Sequence, residues 1–256
     1  MFSIIVVHNS EDIEREFLLT SLARQTVPYE LILLENKNNK NYTSAASALN
    51  DGAKKATGEY LLFVHQDVDL LDSEFLSKAE ELLADISDLG VAGVAGMKAG
   101  DMCDHERRRN RICQGSPKGE WGKVIDSVEK VQTLDECLLI VPSKVFSSCI
   151  FDVSTCDHWH LYGVEYCLSI LKFNLAAYVL PLPIYHASVG DSAKSKRGKL
   201  QSLDDAYFRA FESVRKKHRA NVSYVYTTCA SFSTKTPISI QRVYRLAMRK
   251  LRIKVV

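Results

Sequence analysis

The chain has 256 residues, 46% of them hydrophobic and 25% charged, with a net charge of +2. That length suits one large domain, or one domain with an appendage, and the apolar content is ample for a core. The longest apolar runs fall far below the ~18–20 residues needed to span a bilayer, which excludes a transmembrane helix from the expected architecture.

Met1–Val7 lacks the basic start and long apolar region of a secretory leader, so a cytoplasmic protein is expected. Seven cysteines (103, 113, 137, 149, 156, 167 and 229) include no C-x-x-C pair. Reduced, mostly buried thiols are the natural reading, since the spacing of Cys103, His105 and Cys113 matches no familiar zinc pattern. The small net charge hides a division. Residues 194–256 carry sixteen Lys and Arg against three Asp and Glu, a local charge of +13, which leaves −11 on the rest. An acidic body with a basic tail predicts contact between that tail and something anionic.

In chain order, Ser3–Val7 predicts a short apolar strand ending at His8-Asn9-Ser10. Ser10 is placed to cap a helix whose inner face is Ile13, Phe17, Leu18 and Leu22. Leu31–Leu34 predicts a second strand, closing on Glu35, Asn36, Asn38 and Asn39, and Ser44–Ala56 a small-residue helix stopped by Gly58. Tyr60–Val64 predicts a third strand buried on both faces, and Ser73–Ile86 a helix with Phe75, Leu76, Ala79, Leu82, Leu83 and Ile86 inward. Gly90–Gly96 predicts a fourth strand. This β-α-β-α-β-α-β order implies a parallel sheet with right-handed crossovers. No phosphate-binding glycine loop is present.

Residues 97–123 read as a polar loop in which Arg107, Arg108, Arg109 and Arg111 form either a solvated basic patch or a phosphate contact. Beyond it, the pattern predicts structure over Lys130–Val141, a short helix over Pro142–Cys149, a helix over Trp159–Phe173 and a strand over Ala176–Leu180. The tail predicts helices near Leu203–Arg219 and Ile238–Leu251. In the second, Ile240, Val243, Tyr244, Ala247 and Leu251 share a face, which suits either an anionic membrane interface or packing on the body. Few aromatics interleave with the basic residues, so nucleic acid ranks last among anionic partners.

The most informative stretch is Gly58–Asp69, where the buried third strand stops abruptly at His65, Gln66, Asp67 and Asp69. A polar strand end is where an open α/β sheet holds its ligand. Carboxylates one residue apart can hold a divalent cation against nucleotide phosphates, or can simply lead into the helix that follows. Extension of the strand would send residues 65, 67 and 69 to one side.

Together these segments resemble the family-2-like glycosyltransferases, over roughly residues 2–190. The resemblance rests on Ser3–Ser10, Ser21-Leu22-Ala23-Arg24-Gln25, Asn50-Asp51-Gly52-Ala53, Gly58–Asp69 and Trp159–His186, in that order. It implies an α/β GT-A fold, the nucleotide-diphospho-sugar transferase architecture: a mostly parallel central sheet flanked by helices, here with a basic helical C-terminal extension. The expected division is a transferase domain over 1–193, with a donor half at about 1–100 and an acceptor half at about 124–193, and the extension over 194–256.

The resemblance further implies transfer of a sugar, with inversion, from a nucleotide-diphosphate sugar to an acceptor hydroxyl on a saccharide or lipid-linked saccharide. Polysaccharide or glycoconjugate synthesis at the inner face of a membrane is the expected setting, with residues 194–256 meeting the anionic surface. Asn9, Glu35, Asn50, Gly52 and His65 map onto nucleotide-binding positions. The D-x-D-like element aligns either as His65-Gln66-Asp67 or as Asp67-Val68-Asp69. Asp67, Asp69 and His186 are therefore the expected ligands of Mn²⁺ or Mg²⁺. Gly163 stands where relatives often carry an acid, which leaves Glu165 as the expected general base and Asp157 as second choice, ahead of His160. Asp135 and Glu136 lie where relatives line the acceptor side and are weaker candidates for the base. The alternative is a non-catalytic module of the same fold that binds a membrane or partner through its basic tail.

Overall fold

The computed structural model describes residues 1–115, 118–187 and 205–250, apart from the side chains of residues 245, 246 and 248–250. Strand β1 (Phe2–His8) is buried through Val6 and ends in polar residues. Ser10 Oγ accepts the Ile13 N–H and so caps helix α1 (Glu11–Glu14), which continues through a π-helical turn, Arg15–Leu19, into α2 (Thr20–Leu22). Strand β2 (Tyr29–Glu35) follows Pro28, and α3 (Ala45–Ala53) starts at Ser44, whose side chain accepts the Ser47 N–H.

Small residues let α3 lie close to the sheet. A Cβ on Gly52 would stand 2.5 Å from Ile5 Cγ2 and 3.0 Å from Leu34 Cδ1. Gly52→Ala is therefore expected to destabilise the protein by about 1–3 kcal/mol through overpacking, read as a lowered denaturation midpoint at unchanged m-value.

The chain continues through β3 (Tyr60–Val64), β4 (Val68–Leu70), α4 (Phe75–Ala84), β5 (Leu89–Gly93) and β6 (Ala95–Met97). The stretch expected to be a loop contains α5 (Asp104–Arg107), β7 (Arg108–Asn110), β8 (Ile112–Gln114) and β9 (Lys123–Val124). Then come β10 (Glu129–Val131), β11 (Thr133–Leu134), β12 (Leu138–Pro142), α6 (Ser143–Ser148), α7 (Tyr162–Ser169), β13 (Ala176–Val179) and β14 (Ile184–His186). Helix α8 (Asp205–His218), β15 (Tyr224–Val225), β16 (Phe232–Ser233) and α9 (Ile238–Lys250) complete the described chain.

The central sheet has seven strands in the order β10-β13-β5-β12-β3-β1-β2. Five share one direction, while β12 and β10 run against them. Alternating side chains feed two cores: Ile5, Leu61 and Phe63 point to one face, and Ile4, Val6, Leu62 and Val64 to the other. The parallel reading holds for β1, β2 and β3 and for the direction of the fourth strand, β5, which is not their neighbour. Antiparallel β12 lies between β3 and β5, and the run Gly90–Gly96 breaks at Val94 so that β5 and β6 join different sheets.

Two members of the Arg cluster are buried in structural contacts. Arg107 and Arg109 are 5% and 7% exposed. The Arg107 guanidinium donates to the carbonyls of Lys98, Gly100 and Met102 and stacks on Tyr226, while Arg109 pairs with Glu129 at 2.7 Å.

The expected boundary at 193/194 falls in residues 188–204, outside the described residues, as do Leu203 and Leu251. Beyond it, α8 buries Tyr207, Phe208, Phe211 and Val214 in the same core as α3 and α7. On α9, Ile238 is buried, but Ile240, Val243 and Tyr244 are 58%, 67% and 55% exposed. Among the described residues no helix is long and apolar enough to cross a membrane.

Candidate active site

The ends of β1, β2 and β3 open onto a cavity of about 660 Å³, lined by His8, Asn9, Asn36, Asn39, Gln66 and Asp67 among others, with Trp159 and Tyr162 also in its wall. Gln66 ties two of these strand ends together. Its Oε1 accepts the backbone N–H groups of Asn9 and Ser10 at 3.0 and 3.1 Å, and its Nε2 donates to Asn9 Oδ1 at 2.7 Å.

Three potential ligands converge on one wall. The chain turns after β3, with the Val68 N–H donating to the His65 carbonyl, and the short strand β4 then pairs antiparallel with β14. That pairing sets His186 opposite Val68, and the Ala187 N–H donates to the Asp67 carbonyl at 3.0 Å. His186 Nε2 is thereby 3.2 Å from Asp67 Oδ1, and the His65 and His186 rings meet edge to face at 5.5 Å. One donor atom from each of His65, Asp67 and His186 lies within 4.8 Å of the others. Among the described residues this is the one group of three or more His, Cys, Asp or Glu side chains so gathered, and Cys103, His105 and Cys113 form no such cluster.

Burial and the neighbouring His186 press the His65 imidazole down to about 4, against the pull of Asp67 and Asp135, so His65 is neutral near pH 7. Burial also opposes charge on His186, but the hydrogen bond and charge of Asp67 outweigh it and raise its pKa. Two imidazoles and a carboxylate facing a cavity are a donor set that fits a divalent transition ion.

The other expected site residues fall elsewhere. Asp69 does not join the cluster, because the turn at Gln66–Asp67 breaks the strand alternation; it pairs with Arg24 at 2.7 Å. Glu35 is exposed at the end of β2, and the neighbouring cavity wall is Asn36 and Asn39. Asn50 is buried and bonds both backbone groups of Phe151, at 2.9 and 3.1 Å, a structural tie. Gly52 serves the packing of α3 on β1.

Glu165 is 1% exposed, turned onto α8, and held by Ser169 Oγ, Lys217 Nζ and His218 Nε2 at 2.6, 2.6 and 3.0 Å. Its carboxylate is committed to that network and is withdrawn from the role of base. Asp157 is exposed ahead of Trp159, and His160 meets the Tyr207 ring.

His8, Asn36, Asn39 and Gln66 lie on the polar strand ends expected to hold the ligand, though the sequence assigns them no individual role, whereas Trp159 and Tyr162 are not expected as cavity residues. His8 is backed by buried Glu14, whose Oε2 is 3.1 Å from His8 Nδ1. Asn36 shapes its own loop: its Oδ1 accepts the Asn41 and Tyr42 N–H groups, while Asn38 and Asn39 adopt left-handed backbone angles.

The fold is that of the GT-A class, which solved structures share. The chain is similar to Staphylococcus aureus TarS 1–349 in complex with UDP-GlcNAc, with 16% identity over 86% of this chain and 67% of that one and a TM-score of 0.58. It is also similar to the mannosyltransferase PcManGT from Pyrobaculum calidifontis in complex with GDP-Man and Mn²⁺, with 13% identity, 96% and 69% coverage and a TM-score of 0.54. GalNAc-T7 with UDP, GalNAc and Mn²⁺ gives 10% identity, 86% and 48% coverage and a TM-score of 0.56. Comparison with curated protein sequences yields no match.

Residues 3–197 match the glycosyltransferase-like family, and the chain belongs to that family.

Proposed function

We propose that the protein is a metal-dependent, inverting glycosyltransferase that moves a sugar from a nucleotide-diphosphate donor to a hydroxyl of a saccharide or lipid-linked saccharide. The observation that carries this reading is the convergence of His65, Asp67 and His186 on the wall of the strand-end cavity. The GDP-Man and Mn²⁺ bound to PcManGT, and the UDP-GlcNAc bound to TarS, support it by analogy of fold. Residues 1–100 form the donor half and 124–193 the acceptor half.

In this reading Asn9 and Asn39 present amide groups to the nucleoside, with His8 beside them, while Asn36 holds the loop that carries Asn39. His65, Asp67 and His186 hold the cation, which when bound neutralises the leaving diphosphate as a Lewis acid. Trp159 and Tyr162 wall off water and position the sugar. Because two of the three ligands are imidazoles, Mn²⁺ is favoured over Mg²⁺, whose hard character suits all-oxygen sites. The exposed Ile240, Val243 and Tyr244 on α9, in a basic tail, suit an anionic membrane surface, in keeping with polysaccharide or glycoconjugate synthesis there.

The test is a thermal-shift panel of UDP, GDP, dTDP and CDP, each alone, with Mn²⁺ and with Mg²⁺. A ligand that binds only the folded state raises the midpoint by mass action, about 2.7 kcal/mol at 100 times Kd. One nucleotide is expected to shift the midpoint with Mn²⁺ and far less with Mg²⁺. Absence of a shift from every combination would remove the donor-site reading and favour a non-catalytic module.

A further inference from the structure

The cluster of His65, Asp67 and His186 asks one further thing of the fold, that His65 present a particular nitrogen. A coordinating imidazole is neutral and carries one proton, so one ring nitrogen holds the hydrogen and only the other has a lone pair for a cation. The partner of the non-coordinating nitrogen decides which is which. We propose that Tyr162 is that partner, a positioning residue whose hydroxyl accepts the Nε2–H of His65 and so reserves Nδ1 for the cation. This assignment rests on the metal-dependent transferase reading above.

The single hydrogen of the phenol settles the arrangement. The Tyr162 hydroxyl has two close partners, the Glu136 carbonyl oxygen at 3.1 Å and His65 Nε2 at 3.3 Å. A carbonyl can only accept, so the phenolic hydrogen goes to Glu136. Toward His65 the same oxygen then has only lone pairs to offer. Were Nε2 also to hold a lone pair, two acceptors would face each other. The contact is a hydrogen bond only when Nε2 carries the hydrogen, which leaves the lone pair of His65 on Nδ1.

The phenol is held from several sides. Helix α7 begins at Tyr162, and the Glu136 carboxylate brackets that residue: Oε2 accepts the Leu161 N–H at 3.1 Å and Oε1 the Gly163 N–H at 2.8 Å. Leu161, immediately before it, adopts a left-handed backbone with φ at 65°, which a leucine seldom takes. Such a conformation persists where the surroundings enforce it and is common beside functional groups. The buried Tyr162 ring meets Phe151 edge to face at 5.4 Å.

His65 is anchored a second time on the same segment, since its backbone N–H donates to the Cys137 carbonyl at 2.9 Å. Residues 136 and 137 therefore fix its main chain directly and its ring through Tyr162. The glycine at 163 gains a local reason in turn. A Cβ there would stand 3.1 Å from Glu136 Cγ and 2.9 Å from Leu139 Cδ1, crowding the acid that brackets Tyr162.

The experiment combines two-bond ¹H–¹⁵N correlation spectra of histidine-labelled protein, before and after addition of Zn²⁺, with titration calorimetry in Mn²⁺ alone. The His65 signal is assigned by its loss in His65→Gln. In the wild-type protein at neutral pH, His65 is expected as one tautomer with Nε2 protonated, and Zn²⁺ is expected to move the Nδ1 resonance. Tyr162→Phe keeps the ring and removes the hydroxyl. It is expected to weaken Mn²⁺ affinity by about 10–100-fold and to leave His65 as a mixture of tautomers. Phe151→Leu loosens the same ring contact without touching the hydroxyl, and its Mn²⁺ affinity is expected to stay close to that of the wild type.

A wild-type His65 with Nε2 unprotonated, or with Nε2 and not Nδ1 moved by Zn²⁺, would overturn the assignment. Unchanged Mn²⁺ affinity in Tyr162→Phe would do the same. Equal weakening by Phe151→Leu would reduce Tyr162 to a packing residue and overturn it as well. Uptake of neither ion by the wild-type protein would overturn the metal-dependent reading and the assignment together, whereas the other three outcomes overturn the assignment alone.

Discussion

Asp67→Ala is expected to abolish metal-dependent donor binding while the fold survives. The side chain supplies the single carboxylate of a three-residue cluster, and without it two imidazoles remain, with no negative charge to balance a dication. Loss of a residue that merely orients a ligand commonly costs 10–100-fold in metal affinity, so loss of the ligand itself should cost more than ~10²-fold. The backbone is spared, because the contact that docks the end of β14 uses the Asp67 carbonyl and not its side chain. Titration calorimetry with Mn²⁺ and nucleoside diphosphate reads the effect directly. Unchanged affinity would move the cation away from this cluster. Asp69→Ala is the control: its carboxylate sits in an exposed pair with Arg24 worth roughly 0–1 kcal/mol, so metal affinity should change little.

Glu165→Ala should act on stability and not on donor binding. It removes a fully buried carboxylate and leaves His218 and Ser169 without their partner, while Lys217 keeps its pair with Asp152. Breaking a buried pair on one side costs 3–5 kcal/mol, and Lys217 is exposed enough to recover some hydration, so about 3 kcal/mol is expected. For a chain of this size that lowers Tm by about 6–12 °C.

The pH dependence has a definite sign. Burial would raise the Glu165 carboxyl, but the hydrogen bonds from His218, Lys217 and Ser169 outweigh it and hold the group below the ordinary range. Against the effect of burial, bonds from Lys217, Ser154 and Thr155 likewise hold Asp152 well below the ordinary carboxylate range. Their stabilisation is complete above the unfolded carboxylate pKa of about 4.3 and is lost as pH falls through the folded values. The deficit of Glu165→Ala should therefore be full at pH 7 and shrink in acid, in urea denaturation at pH 7 and pH 3. A deficit that stays constant across that range would mean that the carboxylate is not charged in the folded chain.

The elements legible in the sequence were those whose periodicity is long enough to count. Tyr60–Val64 reads as a strand without a change of boundary, and the apolar stripe of Ser73–Ile86 contains α4. The stretch 97–123 was opaque because two- and three-residue strands carry no period, so β7, β8 and β9 look like loop. The run 90–96 carried no mark at Val94, since strands that pass from one sheet to another are equally apolar on both sides of the switch.

At the site, the polar tips of β1 and β3 were visible as abrupt ends of apolar runs. The direction of Asp69 was not, because it depends on a turn that the alternation rule assumes absent. The engagement of Glu165 was hidden for a different reason. Its partners lie on α8, beyond the expected end of the transferase domain, and a carboxylate that will be neutralised from elsewhere in the chain looks the same in sequence as one that will not.

The pairing of β4 with β14 has a temporal meaning as well as a geometric one. Asp67 and His186 stand on opposite sides of the chain's midpoint, so the pocket wall is a long-range closure and not a local loop. A ribosome releasing this chain exposes His65 and Asp67 well before His186 exists, and the nascent N-terminal half offers a cation only half a clasp. Occupancy of the cluster would then coincide with the last stages of sheet assembly, and a proteolytic nick between the two strands would unfasten chemistry and architecture together.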